Sequence, residues 1–125
     1  MSQIHFGSYL GLGQPVFEGD TTTISLEVKD HHLNMLGVVH GGVITTLSDT
    51  AMGNASFANA KHPLVTVELK VSFMRPAFRG RIEARARVLK KGEHLLFATC
   101  TVVDQDGREI AVALGTYMMI DQIKK

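Results

Sequence analysis

The stretch from Asn34 to Ala60 carries a single formally charged residue, Asp49. Taking a carboxylate out of water costs several kcal/mol unless it is paired or neutralised, and such sites are enriched in function. Asp49 therefore reads either as a reacting carboxylate or as an Asp that bonds neighbouring backbone at a wet subunit seam. Upstream stands His40-Gly41-Gly42. The first N–H groups of a helix lack internal partners and sit at its positive end, so they can stabilise negative charge developing on an oxygen. Glycines open many helices that bind nothing, so the pair alone is a weak signal.

These groups need a helix to hold them. Between Val43 and Asn59 the residues Val43, Leu47, Ala51, Ala55 and Ala58 recur at helical spacing, with Ile44 and Met52 beside them. Gly41-Gly42 opens the run, and Lys61-His62-Pro63 stops it, because proline cannot continue a helix. The spacing predicts about five turns, roughly 25–30 Å. The other face is small and polar (Thr45, Thr46, Ser48, Asn54, Ser56), without the Lys and Glu of a surface helix. Such a helix is expected to be covered on nearly every side.

Around it the chain alternates. Ser8 to Leu12 reads as a short first strand, and Gln14-Pro15 and Glu18-Gly19-Asp20 as turns flanking Val16-Phe17. Thr21 to Lys29 puts Ile24, Leu26 and Val28 on one face of a half-buried strand. His31 and His32 have no third ligand at a helical or turn spacing, so they read as solvated loop residues, with no metal implied. From Leu64 to Met74, Val65, Val67, Leu69, Val71 and Phe73 alternate with Thr66, Glu68, Lys70, Ser72 and Met74, which puts Thr66 on the face away from the helix. Arg75 to Gly80 makes a bend. Arg81 to Lys90 points Ile82, Ala84, Ala86 and Val88 inward, and its arginines form a solvated face. Lys91-Gly92-Glu93 and Asp104-Gln105-Asp106-Gly107 read as hairpin turns flanking a strand over His94 to Val103. Glu109 to Ile120 is the last strand, and the tail Asp121 to Lys125 is expected to fray.

The sum is an α+β plan, one long central helix wrapped by a curled antiparallel sheet of five to six strands. A single curled sheet leaves one side of the helix open, and that small polar face predicts a dimer. The 125 residues point to one domain over residues 1–125. A hydrophobic content of 45%, a charged content of 20% and a net charge of +1 are ordinary for a globular protein and leave no nucleic-acid or membrane footprint. One cysteine, Cys100, excludes an internal disulfide; it sits in an apolar run and reads as an inert buried thiol. Met1 to Gly13 lacks the basic start and apolar core of a signal peptide, so the expected location is cytoplasmic. No Walker or dinucleotide glycine pattern appears, and no cofactor is implied.

The run Asn34-x-x-Gly37-x-x-His40-Gly41-Gly42 followed by Leu47-x-Asp49 resembles the hotdog-fold thioesterases of the phenylacetate-degradation branch. So do Thr66-Val67-Glu68-Leu69, Phe73-Met74-Arg75-Pro76-Ala77 with Gly80, Lys91-Gly92 and the Asp106-Gly107 turn, in order over nearly the whole chain. The resemblance implies hydrolysis of an acyl-CoA or aryl-CoA thioester and a homodimer that pairs into a tetramer. It makes Asp49 the catalytic carboxylate. The Gly41 N–H polarises the thioester carbonyl, with His40 lining the same spot. Asn34 holds the loop or orients carbonyl or water, and Thr66 stands where the family often has a serine that positions water. CoA needs cations for its phosphates. Arg75 beside Pro76, Arg79, Lys90 and Lys91 are the basic residues nearest the strand bends, and Lys91-Gly92 adds a backbone N–H.

The chemistry is coherent, since thioester cleavage needs a nucleophile and a stabilised oxyanion. A carboxylate either attacks directly to give an anhydride or acts as general base on water, and both routes stay open here. A hotdog hydratase or dehydratase is a competing reading, but those relatives carry a longer Pro-Gly-rich loop at the His. A non-catalytic acyl-CoA-binding protein would have no need for a lone carboxylate in an uncharged helix. A purely structural dimer is the weakest reading.

Overall fold

The expected central helix runs from Gly41 to Ala60 (α2) in the computed structural model, which describes residues 5–121. Its 20 residues span about 30 Å. Val43, Ile44, Leu47, Ala51, Met52 and Ala55 are buried on its inner side. Each large side chain fully removed from water, such as Leu47 or Met52, contributes about 1.5–3 kcal/mol. Ser48 and Ser56 share that buried face, contrary to their expected place on the polar one, and Ala58 is exposed. Ser48 is tolerated there because its hydroxyl donates to the Ile44 carbonyl at 2.8 Å. The helix is not covered all round. Thr45, Thr46, Asp49, Thr50, Gly53 and Asn54 are half-buried along one side, and Phe57 is 53% exposed.

Six antiparallel strands wrap the helix, five where the alternation predicts them and β1 over residues that read only as flanked by turns: β1 (Val16–Glu18), β2 (Thr21–Val28), β3 (Leu64–Phe73), β4 (Gly80–Lys91), β5 (Leu95–Asp104) and β6 (Glu109–Met119). They form one sheet in the order β1-β2-β4-β5-β6-β3, which stays open with β1 and β3 at its edges. The helix packs against β2 through β6, so the sheet curls around it. The bend after β3 is a crossover, not a hairpin. It carries the chain from the sheet edge back to β4 past the start of α2, where the Val39 N–H donates to the Ala77 carbonyl at 2.8 Å.

Three further expectations are corrected. The segment that reads as a first strand is instead a short helix, α1 (Phe6–Leu10). His5 and Ser8 cap each other at its start, and Gly11 ends it in the left-handed region at φ 84°. His32 is not solvated. It closes a 3₁₀ turn over Asp30–His32 and is 1% exposed, while His31 stays outside. Its Nδ1 accepts the Lys29 N–H at 2.8 Å, which leaves the proton on Nε2 to donate to the Leu10 carbonyl at 2.7 Å. The buried imidazole thus ties α1 to the end of β2 and satisfies both of its ring nitrogens.

The third correction is one of register. β3 pairs with β6 from Leu64↔Met119 to Thr66↔Tyr117, then slips at Val67 so that Glu68 faces Thr116. One extra residue in a strand turns every following side chain to the opposite face. The strict alternation therefore holds from Leu69 to Phe73, but Thr66 falls on the helix side. The expected fraying tail beyond Asp121 lies outside the described residues. No described helix is long and apolar enough to cross a membrane.

Candidate active site

Asp49 stands in the middle of α2, on the side facing edge strand β3, and is half-buried. Thr66 of β3 donates its hydroxyl to Asp49 Oδ1 at 2.9 Å, and Tyr117 of β6 donates to the same oxygen at 2.9 Å. The Tyr117 hydroxyl is also 3.2 Å from the Asp49 carbonyl. Asp49 Oδ2 takes no hydrogen bond from the described residues. Asp49 borders a hollow of about 430 Å³, with Thr50, Gly53, Asn54, Phe57, Thr66 and Tyr117. Burial, then the neighbouring Asp49 carboxylate, holds the Tyr117 phenol well above the ordinary tyrosine range, so it is the protonated donor of the pair.

Gly41 opens α2 in a second hollow, of about 320 Å³, lined by Val38, Val39, Phe73, Met74, Arg75 and Pro76. His40 is the N-cap, and its Nδ1 accepts the Gly42 N–H at 2.8 Å. An N–H only donates, so Nδ1 is the unprotonated nitrogen and the neutral ring carries its proton on the exposed Nε2. The Val43 N–H donates to the His40 carbonyl at 2.9 Å. Of the first three N–H groups of α2, only that of Gly41 has no acceptor among the described residues. A Cβ at position 41 would stand 3.3 Å from the Phe73 ring, a tight but yielding contact with a half-exposed side chain.

Asn34 sits in the loop that leads to His40. Its Oδ1 accepts the Leu36 and Val38 N–H groups at 2.9 and 3.2 Å, and Gly37 turns the loop at φ 83°. The side chain thus ties together the loop that leads to His40. The expected CoA contacts separate. Arg75 and Pro76 line the Gly41 hollow, whereas Arg79 is paired with Asp30. Lys90 and Lys91 end β4, and with Gly92 they lie at the hairpin that meets the His94 and Met119 end of the sheet, lining neither hollow. Burial pushes the Cys100 thiol up to about 12, as befits an inert interior cysteine.

The structure thus brings Thr66 to Asp49, and Arg75 and Pro76 to Gly41, along the same edge of the molecule. It does not bring Gly41 to Asp49 within one chain, since the two line separate hollows. Tyr117 is the site residue that sequence reasoning misses. It lies on the inward face of β6 with Ala111, Ala113 and Gly115. A buried tyrosine must find a partner for its hydroxyl, and that is the signal that could have found it.

Residues 36–111 match the sequence profile of the thioesterase superfamily. Acyl-coenzyme A thioesterase 13 of Mus musculus is 33% identical over 82 residues, which cover 64% of this chain and 59% of that protein. The phenylacetic acid degradation protein PaaI from Thermus thermophilus, solved in a mutant form, superposes with a TM-score of 0.82 at 28% identity, over 91% of this chain and 97% of that one. The E. coli PaaI protein gives the same TM-score, 0.82, at 25% identity, over 91% of this chain and 83% of that one.

Proposed function

The chain belongs to the thioesterase superfamily, as a hotdog-fold member of the PaaI-like branch, and from that premise we propose that it hydrolyses an acyl- or aryl-CoA thioester to the free acid and CoA. The observation that carries the proposal is the Asp49 carboxylate at the edge of a hollow, with one oxygen fixed by hydroxyls from two strands and the other without a partner among the described residues.

In this reading Oδ2 does the chemistry. It attacks the thioester carbon to give a mixed anhydride and CoA thiolate, and water then splits the anhydride to the acid and the restored carboxylate, or it takes the proton of a water that attacks the thioester instead. Either way negative charge gathers on the carbonyl oxygen, and the Gly41 N–H at the positive end of α2, which has no acceptor among the described residues, is the donor suited to it. Arg75 is the cation beside that N–H for a CoA phosphate.

Gly41 and Asp49 are eight positions apart on one helix, about 12 Å along its axis. A carbonyl bound at about 3 Å to the Gly41 N–H must also lie about 3–3.5 Å from the attacking oxygen. One chain cannot meet both conditions. Two chains can, in a two-fold dimer whose helices run antiparallel with the axis beside Thr45, midway between the two groups. The open edge of β3 supports this, because it flanks both hollows and carries the exposed Val67 and Phe73. A homodimer with two shared sites is therefore part of the proposal.

A panel of acyl- and aryl-CoA thioesters, read by release of free thiol, tests the activity. We expect turnover on at least one class. Tight binding of CoA thioesters with no thiol released would instead identify a non-catalytic acyl-CoA-binding protein.

A further inference from the structure

We propose that Tyr117 is a positioning residue that, with Thr66, pins Asp49 Oδ1 so that Oδ2 is the oxygen turned to the thioester. The inference rests on Asp49 being the reacting carboxylate. Tyr117 borders the Asp49 hollow but is only 1% exposed, and its hydroxyl is engaged by Asp49, so its role runs through the carboxylate.

The surroundings are built for that contact. Gly115, two residues earlier on the same face of β6, leaves a slot for the ring. A Cβ there would stand 2.7 Å from Tyr117 Cε2 and 3.0 Å from its hydroxyl oxygen. With its ring set in that slot, the hydroxyl meets both Oδ1 and the Asp49 carbonyl, fixing the side chain relative to its own backbone. Thr66 reaches the same oxygen only because the slip at Val67 turns it inward opposite Tyr117. Two donors from neighbouring strands thus converge on one carboxylate oxygen and leave the other without a partner among the described residues. An aspartate without them would sample several rotamers, and misplacing a reacting group by about 1 Å can cost 10²-fold in rate.

Tyr117→Phe removes only the hydroxyl. We expect kcat to fall about 10- to 100-fold, the loss of one hydrogen bond to a charged group, with KM within about twofold and the fold retained. In an Asp49→Asn background the same change should alter the residual rate by less than about twofold, because Tyr117 then has no reacting oxygen to position. A Tyr117→Phe enzyme with wild-type kcat beside a dead Asp49→Asn enzyme would overturn the role of Tyr117 and leave the site standing. An equal loss from Tyr117→Phe in both backgrounds would overturn it as well. A fully active Asp49→Asn enzyme would overturn the underlying reading of the site.

A second measurement needs no variant of Tyr117. The chain has two tyrosines, and Tyr9 is 73% exposed. Among the described residues the groups that act on the Tyr117 phenol are Asp49 from α2, Thr66 from β3 and Cys100 from β5, and none of them is a cation. Tyrosinate absorbance against pH should therefore show one of the two tyrosines, Tyr117, resisting ionisation in the folded protein. Asp49→Asn should make it ionise at lower pH. Two tyrosines ionising in a single step in the folded wild type would contradict the contact.

Discussion

Asp49→Asn is expected to lower thioester hydrolysis by a factor on the order of 10² or more while leaving the fold intact, as measured by free-thiol release beside thermal unfolding. The substitution separates chemistry from structure. An amide oxygen still accepts from Thr66 and Tyr117, the hydroxyls that hold Oδ1 at 2.9 Å. The amide NH₂ replaces Oδ2, the oxygen with no partner among the described residues, and a donor there can neither attack a carbonyl nor take a proton from water. Asp49→Ala should be as inactive but less stable, since it leaves the buried Tyr117 hydroxyl with only the backbone carbonyl of residue 49 at 3.2 Å. Near-wild-type turnover in Asp49→Asn would remove the carboxylate from the mechanism.

Gly41→Pro carries the second large effect. Proline suits the first position of a helix, where its missing N–H costs no internal bond, and His40 before it is already extended at ψ 135°. The variant should fold, yet it deletes the one N–H at the start of α2 that lacks an acceptor among the described residues. Loss of one donor from an oxyanion site lowers kcat by about 10²- to 10³-fold. Gly41→Ala is the control. It presses a methyl on the same Phe73 ring but keeps the N–H, so it should retain most of the activity. Equal loss in both variants would trace the effect to crowding at Phe73.

The residues that build this site are unevenly legible in the sequence. The helix around Asp49 and the inward faces of β2 and β4 follow from periodicity, because burial of Leu47, Ile24 or Ile82 imposes the same spacing that the sequence displays. Three features depend on contacts that periodicity does not record. The slip at Val67 has no local signal: the match of Thr66 to Tyr117 and Glu68 to Thr116 sets it from across the sheet. His32 is buried because the Leu10 carbonyl, 22 residues earlier, meets its ring, which no spacing rule for metal ligands could have indicated. The first helix passes for a strand because five residues are too few to show a period, and its stabilising feature is the mutual cap of His5 and Ser8. The basic residues are readable as a group but not as a site. Proximity to a strand bend groups Arg75 with Lys90 and Lys91, and the order of strands separates them.

The shared site is tested most directly by mixing two inactive proteins, Asp49→Asn and Gly41→Pro, after dissociation and reassociation. A heterodimer would join the intact Gly41 of one chain to the intact Asp49 of the other, and its second site would lack both. Each heterodimer should then recover about half of wild-type activity, or about one quarter for a randomly reassociated equal mixture. No recovery, with heterodimers demonstrated and Gly41→Pro folded, would show that each active site is built within a single chain.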